Sequence, residues 1–245
     1  MIYYGQTDTG RVRQTNQDYF SITSVQGEDT VLFVVCDGMG GAAGGSTASR
    51  TACITFEDHV KNYIEKNVKQ KENDYERIMR EALSEANEKV YKTAEQNPEL
   101  AGMGTTLCAV LTNGKKVWAL SVGDSRIYMF SHGEIAQISH DHSYVQALVD
   151  SGAITPDESR THPNKNIITR AVGTAETVEC DFFLMDFSMD ALLICSDGLT
   201  NYVSDSELNE KFLQHTNIES LTLDYIQSAN NAGGGDNITA VVIHK

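Results

Sequence analysis

The 245-residue chain is short of basic side chains: 19 Lys and Arg stand against 34 Asp and Glu, a formal charge of −15. That surplus repels phosphate backbones and anionic headgroups, which argues against a nucleic-acid-binding or membrane-surface role. Proline is scarce too. Only Pro98, Pro156 and Pro163 occur, and no Ser- or Gly-rich linker interrupts the chain, so nothing marks a place to cut it. At about 100–200 residues per domain, one domain spanning 1–245 is expected. No run approaches the roughly 18 consecutive apolar residues of a membrane span. The start, MIYYGQTDTG, lacks the basic and apolar regions of a leader, so a cytoplasmic location is expected. Five cysteines without a C-x-x-C pair indicate neither a zinc ribbon nor a disulfide framework and read as reduced core thiols.

What is present is a sequence of short β-type runs and two long helical patterns. IYYGQTD and DYFSITS precede TVLFVVCD, which is almost continuously apolar and so reads as a strand buried on both faces. A helix from about Ser46 to Asn67 shows a stripe through Ala52, Phe56, Val60 and Ile64. In a second, Tyr75, Ile78, Met79, Ala82, Leu83, Ala86, Val90 and Ala94 fall at i, i+3, i+4 spacing. From Gly104 the texture changes to hairpins, with an Asn113-Gly114 turn that favours type I′ and a second turn at His132-Gly133. An antiparallel meander is expected there. Residues 142–170 are polar, with one short helix, and are long enough for a connection to suggest a function. Two helices near 205–214 and 218–230, the first with a Ser204/Glu207 capping-box spacing, precede a last strand, NITAVVIH. Helices grouped after initial strands, with hairpins elsewhere, indicate α+β.

The chemistry lies where apolar runs meet an Asp beside a Gly: Asp37-Gly38, Gly123-Asp124, Asp197-Gly198 and Gly235-Asp236. One such pair is ordinary turn chemistry, because Asp tolerates turn geometry and Gly supplies positive φ. Four are not. If those strand ends converge, the carboxylates share one sheet edge, where their repulsion requires raised pKa values or bound cations. A carboxylate-rich, His-poor set suits Mg²⁺ or Mn²⁺ above Zn²⁺. Three other motifs fail. Gly38-x-Gly40-x-x-Ala43 has dinucleotide-binding spacing, with Glu57 and Asp58 about 20 residues on, but Asp37 abuts the pyrophosphate position and a second helix replaces the next parallel strand. Gly40 to Gly45 has P-loop spacing before Ser46 but no Lys follows it, and no EF-hand run occurs.

Arg13-x-x-Asn16-Gln17-Asp18, Val35-Cys36-Asp37-Gly38-Met39-Gly40-Gly41, Met103-Gly104-Thr105-Thr106, Val122-Gly123-Asp124-Ser125-Arg126, Thr169-Arg170-Ala171-Val172-Gly173, Ser196-Asp197-Gly198-Leu199 and Gly235-Asp236-Asn237-Ile238-Thr239 follow one another in that order. With this ordered set the chain resembles a bacterial metal-dependent serine/threonine phosphatase of the protein phosphatase 2C family. The likeness runs from Arg13 to Thr239. It implies a central sandwich of two antiparallel β-sheets flanked by pairs of helices, with a flap near 142–168. It also implies hydrolysis of phosphoserine and phosphothreonine in proteins by a water bridging two Mn²⁺ or Mg²⁺ ions, in a monomer opposing a cognate Ser/Thr kinase.

By the same resemblance Asp37 bridges the ions, the Gly38 carbonyl ligates one, Asp197 and Asp236 ligate the other, and Asp18 acts mainly through metal-bound water. Asp124, sharing Asp197, matches a ligand of a third, weaker ion; the alternative is a turn cap paired with Arg126. Arg13 is the candidate phosphate clamp, since a guanidinium pairs bidentately with phosphate and stays charged when desolvated. Asn237 reads as a supporting amide rather than a ligand. Where some members carry a His after the first Asp-Gly, this chain has Met39. That general acid is missing, and His162 in the flap is a candidate substitute. Two other readings stand beside the enzyme. A catalytically silent phosphoprotein-binding relative is disfavoured by the five aspartates, and a nuclease by the acidic charge.

Overall fold

The computed structural model describes residues 1–26, 30–66 and 74–245. Two wholly antiparallel sheets form its centre. In the first the strand order is β1 (Ile2–Asp8), β11 (Ile238–His244), β10 (Ala191–Cys195), β7 (Arg126–Ser131) and β8 (Glu134–Gln137). The second runs β2 (Asp18–Gln26), β3 (Thr30–Met39), β5 (Leu107–Thr112), β6 (Lys116–Val122) and β9 (Asp181–Asp186), with the two-residue β4 (Gly104–Thr105) paired to the end of β3.

The near-continuous apolar runs are explained by burial on both faces, because successive side chains of a strand point to opposite sides. Val31, Phe33 and Val35 of β3 enter the layer between the sheets, where they join Ile194, Val241 and Ile243 from the other sheet. Leu32, Val34 and Cys36 of the same strand face α1 (Gly41–Lys66) and α2 (Tyr75–Gln96). On the opposite outer face Ala191, Leu193 and Cys195 pack with the short α5 (Asp197–Thr200), α6 (Asp205–Gln214) and α7 (Ile218–Asn231). The expected α-β-β-α layering is therefore present. Phe56, Val60 and Ile64 on α1 and all the expected α2 positions except the partly buried Ala94 are enclosed; the expected end of the first helix, at Asn67, lies outside the described residues.

Three local expectations are corrected. The hairpins β5–β6 and β7–β8 do not form one meander: β6 pairs β9 in one sheet and β7 pairs β10 in the other. The chain changes sheets at Gly123, whose φ of +100° turns the backbone and whose missing side chain admits Thr106, since a Cβ there would lie 2.7 Å from that residue's Cβ. At the Asn113-Gly114 turn only the glycine has positive φ. The type I′ signature of two positive φ values belongs instead to His132 (55°) and Gly133 (83°), which close a two-residue loop. Finally, the 142–168 segment holds two helices rather than one, α3 (Tyr144–Asp150) and α4 (Pro156–Thr161). Thr155 and Glu158 form a reciprocal capping box at the start of α4, with Pro156 in its first turn. The two limbs of this flap meet where Ser143 pairs with Ile168.

Candidate active site

All the Asp-bearing strand ends lie at one end of the sandwich. Asp18 opens β2 directly opposite Asp37 near the end of β3, a like-charged cross-strand pair that a sheet tolerates poorly without compensation. Asp197 follows β10, Asp236 precedes β11, and Asp124 sits on the crossover between β6 and β7. Asp37, Asp124, Asp197 and Asp236 line one cleft of about 410 Å³ together with Arg13, Gly38, Met39 and Ile168. Gly38 is required by close packing: a Cβ there would lie 2.1 Å from the Gly45 carbonyl oxygen in the first turns of α1.

The acids are fixed mainly by neutral donors. The Asp37 backbone is clamped from both sides, its N–H donating to Thr106 Oγ1 (2.9 Å) and its carbonyl accepting from the Thr106 N–H (2.9 Å) and Thr105 Oγ1 (2.8 Å). Thr106 Oγ1 also shares a 2.7 Å hydrogen bond with Ser125, beside Asp124. Asp18 Oδ2 accepts from Ser196 Oγ (2.7 Å) and Thr239 Oγ1 (2.6 Å), and Asn201 donates to Asp197 Oδ2 (2.8 Å). The remaining oxygens, Asp18 Oδ1 and Asp197 Oδ1, are buried without a hydrogen-bond partner. Such orphans are costly in a folded protein and point to a cation.

Electrostatics agree. Burial, reinforced by the charges of Asp197 and Asp236, pushes the Asp18 carboxyl up to about 7 against the pull of its two hydroxyl partners. Asp37 is raised well above the usual carboxylate range, first by burial and then by Asp18, Asp197, Asp124 and Asp236. Asp124 is raised by burial and by Asp197 and Asp141, and Asp197 by burial and Asp236. Divalent ions remove this penalty by stabilising the ionised forms. Among the described residues no three acids form a ready-made coordination cage. The carboxylates instead ring an open cleft, which suits hard ions that retain several waters.

The comparisons with known proteins decide the family. A model described as Protein phosphatase 2C matches residues 8–228. The chain belongs to the protein phosphatase 2C family. It is 35% identical over 241 residues to the Listeria monocytogenes serine/threonine phosphatase stp, covering 98% of this chain and 94% of that one. The crystal structure of Stp1 from Staphylococcus aureus superposes with a TM-score of 0.91 at 36% identity, over 99% of this chain and 94% of the other. The catalytic domain of PstP, solved with two manganese ions, gives 0.83 at 33% identity over 98% and 96%. The chain is thus an enzyme of the protein serine/threonine phosphatase kind.

In this protein phosphatase 2C chain the expected residues are brought together, with two details resolved. Arg126 does not cap Asp124; its guanidinium takes Asp141 at 2.7–3.0 Å, which leaves the Asp124 side chain to the cleft. Arg13 reaches Asp236 Oδ2 at 2.9 Å, a half-exposed contact of small energy that places the guanidinium at the cluster. His162 does not line the cleft. It ends α4 with Nδ1 accepting from the Asn164 N–H (3.1 Å) and its ring 6.0 Å from that of Tyr144. Sequence reasoning missed Ser196, Thr239, Thr106 and Asn201, whose hydroxyl and amide groups orient the acids. Each lies within four residues of a motif aspartate or in the Gly-Thr-Thr run, and that proximity was the available signal.

His142 was also missed. Its Nδ1 accepts from the Gly123 N–H (3.1 Å), and its Nε2 lies 3.0 Å from the Arg170 guanidinium and 3.3 Å from Asp181. Its backbone bonds Gly123 and Thr169, tying the base of the flap to the crossover that carries Asp124. Burial and the Arg170 charge hold its pKa down, consistent with a neutral ring.

Proposed function

We propose that the 245 residues act as one monomeric catalytic unit that hydrolyses phosphoserine and phosphothreonine in proteins, opposing a Ser/Thr kinase, with Mn²⁺ or Mg²⁺ as cofactor. The observation that carries this is the convergence of four carboxylates and Arg13 on one cleft, with buried carboxylate oxygens lacking partners at Asp18 and Asp197. Asp37 would stand between two ions, with the Gly38 carbonyl on one and Asp197 and Asp236 on the other. Asp18 would act through a bound water, and Asp124 would share Asp197 in a third, weaker position. When bound, the ions would supply positive charge to the transferred phosphoryl group and lower the pKa of water at the site toward neutrality.

The chain's own residues do the rest. Arg13, with its side chain half exposed, can swing from Asp236 to two phosphate oxygens and orient the group. Thr105 and Thr106 hold the Asp37 backbone still, and Ser196 with Thr239 fixes the Asp18 carboxylate. Met39 carries no proton, and among the described residues no histidine lines the cleft. The leaving alkoxide would therefore take its proton from water or from another acid at the cleft.

The test is turnover of a phosphothreonine peptide with Mn²⁺ and with EDTA, repeated for Asp37→Ala and Asp236→Ala. Loss of at least about a hundredfold is expected for chelation and for each variant. Metal-independent turnover would overturn the reading.

A further inference from the structure

The cleft contains two apolar side chains that hydrolysis does not use. Met39 ends β3 immediately after the Asp37-Gly38 pair, and Ile168 lies on the returning limb of the flap. Both are partly exposed and line the same cavity as the aspartates. Room for Met39 is made by Gly104, where a Cβ would lie 2.9 Å from the Met39 methyl. The rest of the cleft lining is largely polar, with Gln14, Thr15, Gln17 and Asn166, but exposed apolar side chains stand next in sequence to residues that line it or on the flap. Val12 beside Arg13 is 68% exposed, Ile167 beside Ile168 is 49% exposed, and Tyr144, which donates its N–H to the Ile167 carbonyl, is 40% exposed. Single exposed apolar residues are ordinary. Here they come from separate segments, the 9–17 loop and the flap, which both contribute residues to the cleft wall.

We propose that this apolar wall is a side-chain subsite, and that the preferred substrate is an extended phosphoprotein segment with an aliphatic residue two positions from the phosphorylated one. The inference rests on the phosphatase reading and narrows its substrate class. The position follows from geometry. In an extended chain alternate side chains share a face, at about 6.6–7 Å spacing, so a phosphorylated side chain entering the cleft brings its second neighbours, not its first, to the same wall. Desolvation points the same way: Met39 and Ile168 gain by covering an aliphatic neighbour and would strip water from an acidic one. A cavity of about 410 Å³ is large enough for a phosphate and one such side chain.

The experiment compares kcat/KM for matched phosphothreonine peptides carrying Leu, Ala or Glu at the +2 position or at the −2 position, with Mn²⁺ present. A Leu-over-Ala preference of about 5- to 20-fold is expected at one of the two positions, from a partly buried extension of three carbons. Glu there should be worse than Ala. In Ile168→Ser, and separately in Met39→Gln, that ratio should fall toward one, while Ile54→Ser on the exposed face of α1 keeps it. Hydrolysis of the Ala peptide reports whether each variant is folded. Equal rates for Leu and Ala at both positions, or a ratio unchanged in both cleft variants, would overturn the subsite alone. If the wild type hydrolyses none of the peptides, the phosphatase reading falls and the subsite falls with it.

Discussion

Asn237 offers the sharpest check on how the cleft is held. Its side chain is almost fully enclosed, at 3% exposure, and makes three hydrogen bonds to backbone far away in sequence: Oδ1 accepts from the Gln17 N–H (2.8 Å), and Nδ2 donates to the carbonyls of Thr9 (2.9 Å) and Thr15 (3.0 Å). These close the 9–17 loop that carries Arg13. Gln17 then passes the constraint on, its carbonyl accepting from the Gly38 N–H and from Ser49 Oγ. Asn237→Ala removes all three bonds at about 1 kcal/mol each, partly offset where water reaches the freed loop, for a net loss of about 2–3 kcal/mol. In a chain of this length that lowers the melting temperature by about 5–10 °C. A loosened loop also misplaces Arg13, the proposed phosphate clamp, so KM for a phosphothreonine peptide should rise more than kcat falls. Calorimetry and steady-state kinetics in Mn²⁺ read the two effects. An unchanged melting temperature, or a fall in kcat with KM unmoved, would refute the assignment of Asn237 as the tie of the Arg13 loop.

Removal of metal should invert the pH dependence of stability. Asp18, Asp37, Asp124 and Asp197 all have folded-state pKa values above their unfolded ones, with Asp18 at about 7. Between the unfolded value and the folded one the native state binds more protons, so the metal-free protein loses stability as pH rises from about 4 through 7. Mn²⁺ should erase that loss and raise the melting temperature most above pH 7; equal melting curves with Mn²⁺ and EDTA across this range would count against the cluster as an ion site. His162→Ala should change turnover of a phosphoserine peptide and of p-nitrophenyl phosphate by the same small factor, because the ring is off the cleft wall. A drop of about a hundredfold confined to the phosphoserine peptide would reinstate it as the proton donor.

Some of this architecture was legible in the sequence and some was not, for physical reasons. Local signals survived folding: the α2 stripe, the Ser204 cap of α6 and the burial of β3 on both faces depend on periodicity within one element. So did the Asp-Gly strand ends, because close packing leaves no room for a Cβ at Gly38, Gly198 and Gly235, and Gly123 has a positive φ. Sheet membership was hidden. Nothing in KVWALSVG followed by RIYMF states that the strands part company, since an Asp between two apolar runs reads equally as a hairpin or a crossover. The difference is made by Thr106 filling the space at Gly123 and by β9, some 60 residues away, taking the free edge of β6. The partner of Arg126 was hidden for the same reason: Asp141 lies 15 residues on and is brought near only by the β7–β8 hairpin.

The way the acids are held accounts for the coexistence of a stable fold and a charged cleft. A protein could quiet five clustered aspartates with lysines and arginines, but fixed cations would occupy the oxygens that an ion needs. Among the described residues this chain uses hydroxyls and an amide instead: Ser196 and Thr239 on Asp18, Asn201 on Asp197, Thr105 and Thr106 on the Asp37 backbone. These donors fix orientation without cancelling charge. Arg126, the cation nearest in sequence to Asp124, is drawn aside by Asp141, with Gln137 donating to the same carboxylate. Among the described residues Arg13 is the cation that pairs directly with the cluster, and it does so from a half-exposed position on one oxygen of Asp236. Five of the 34 acidic residues are therefore gathered, at this end of the sandwich, into sites that remain available to divalent ions. With those ions bound the cleft becomes cationic toward a phosphoryl group while the outer surface stays acidic, and the acidity that argued against nucleic acid is compatible with a phosphoprotein.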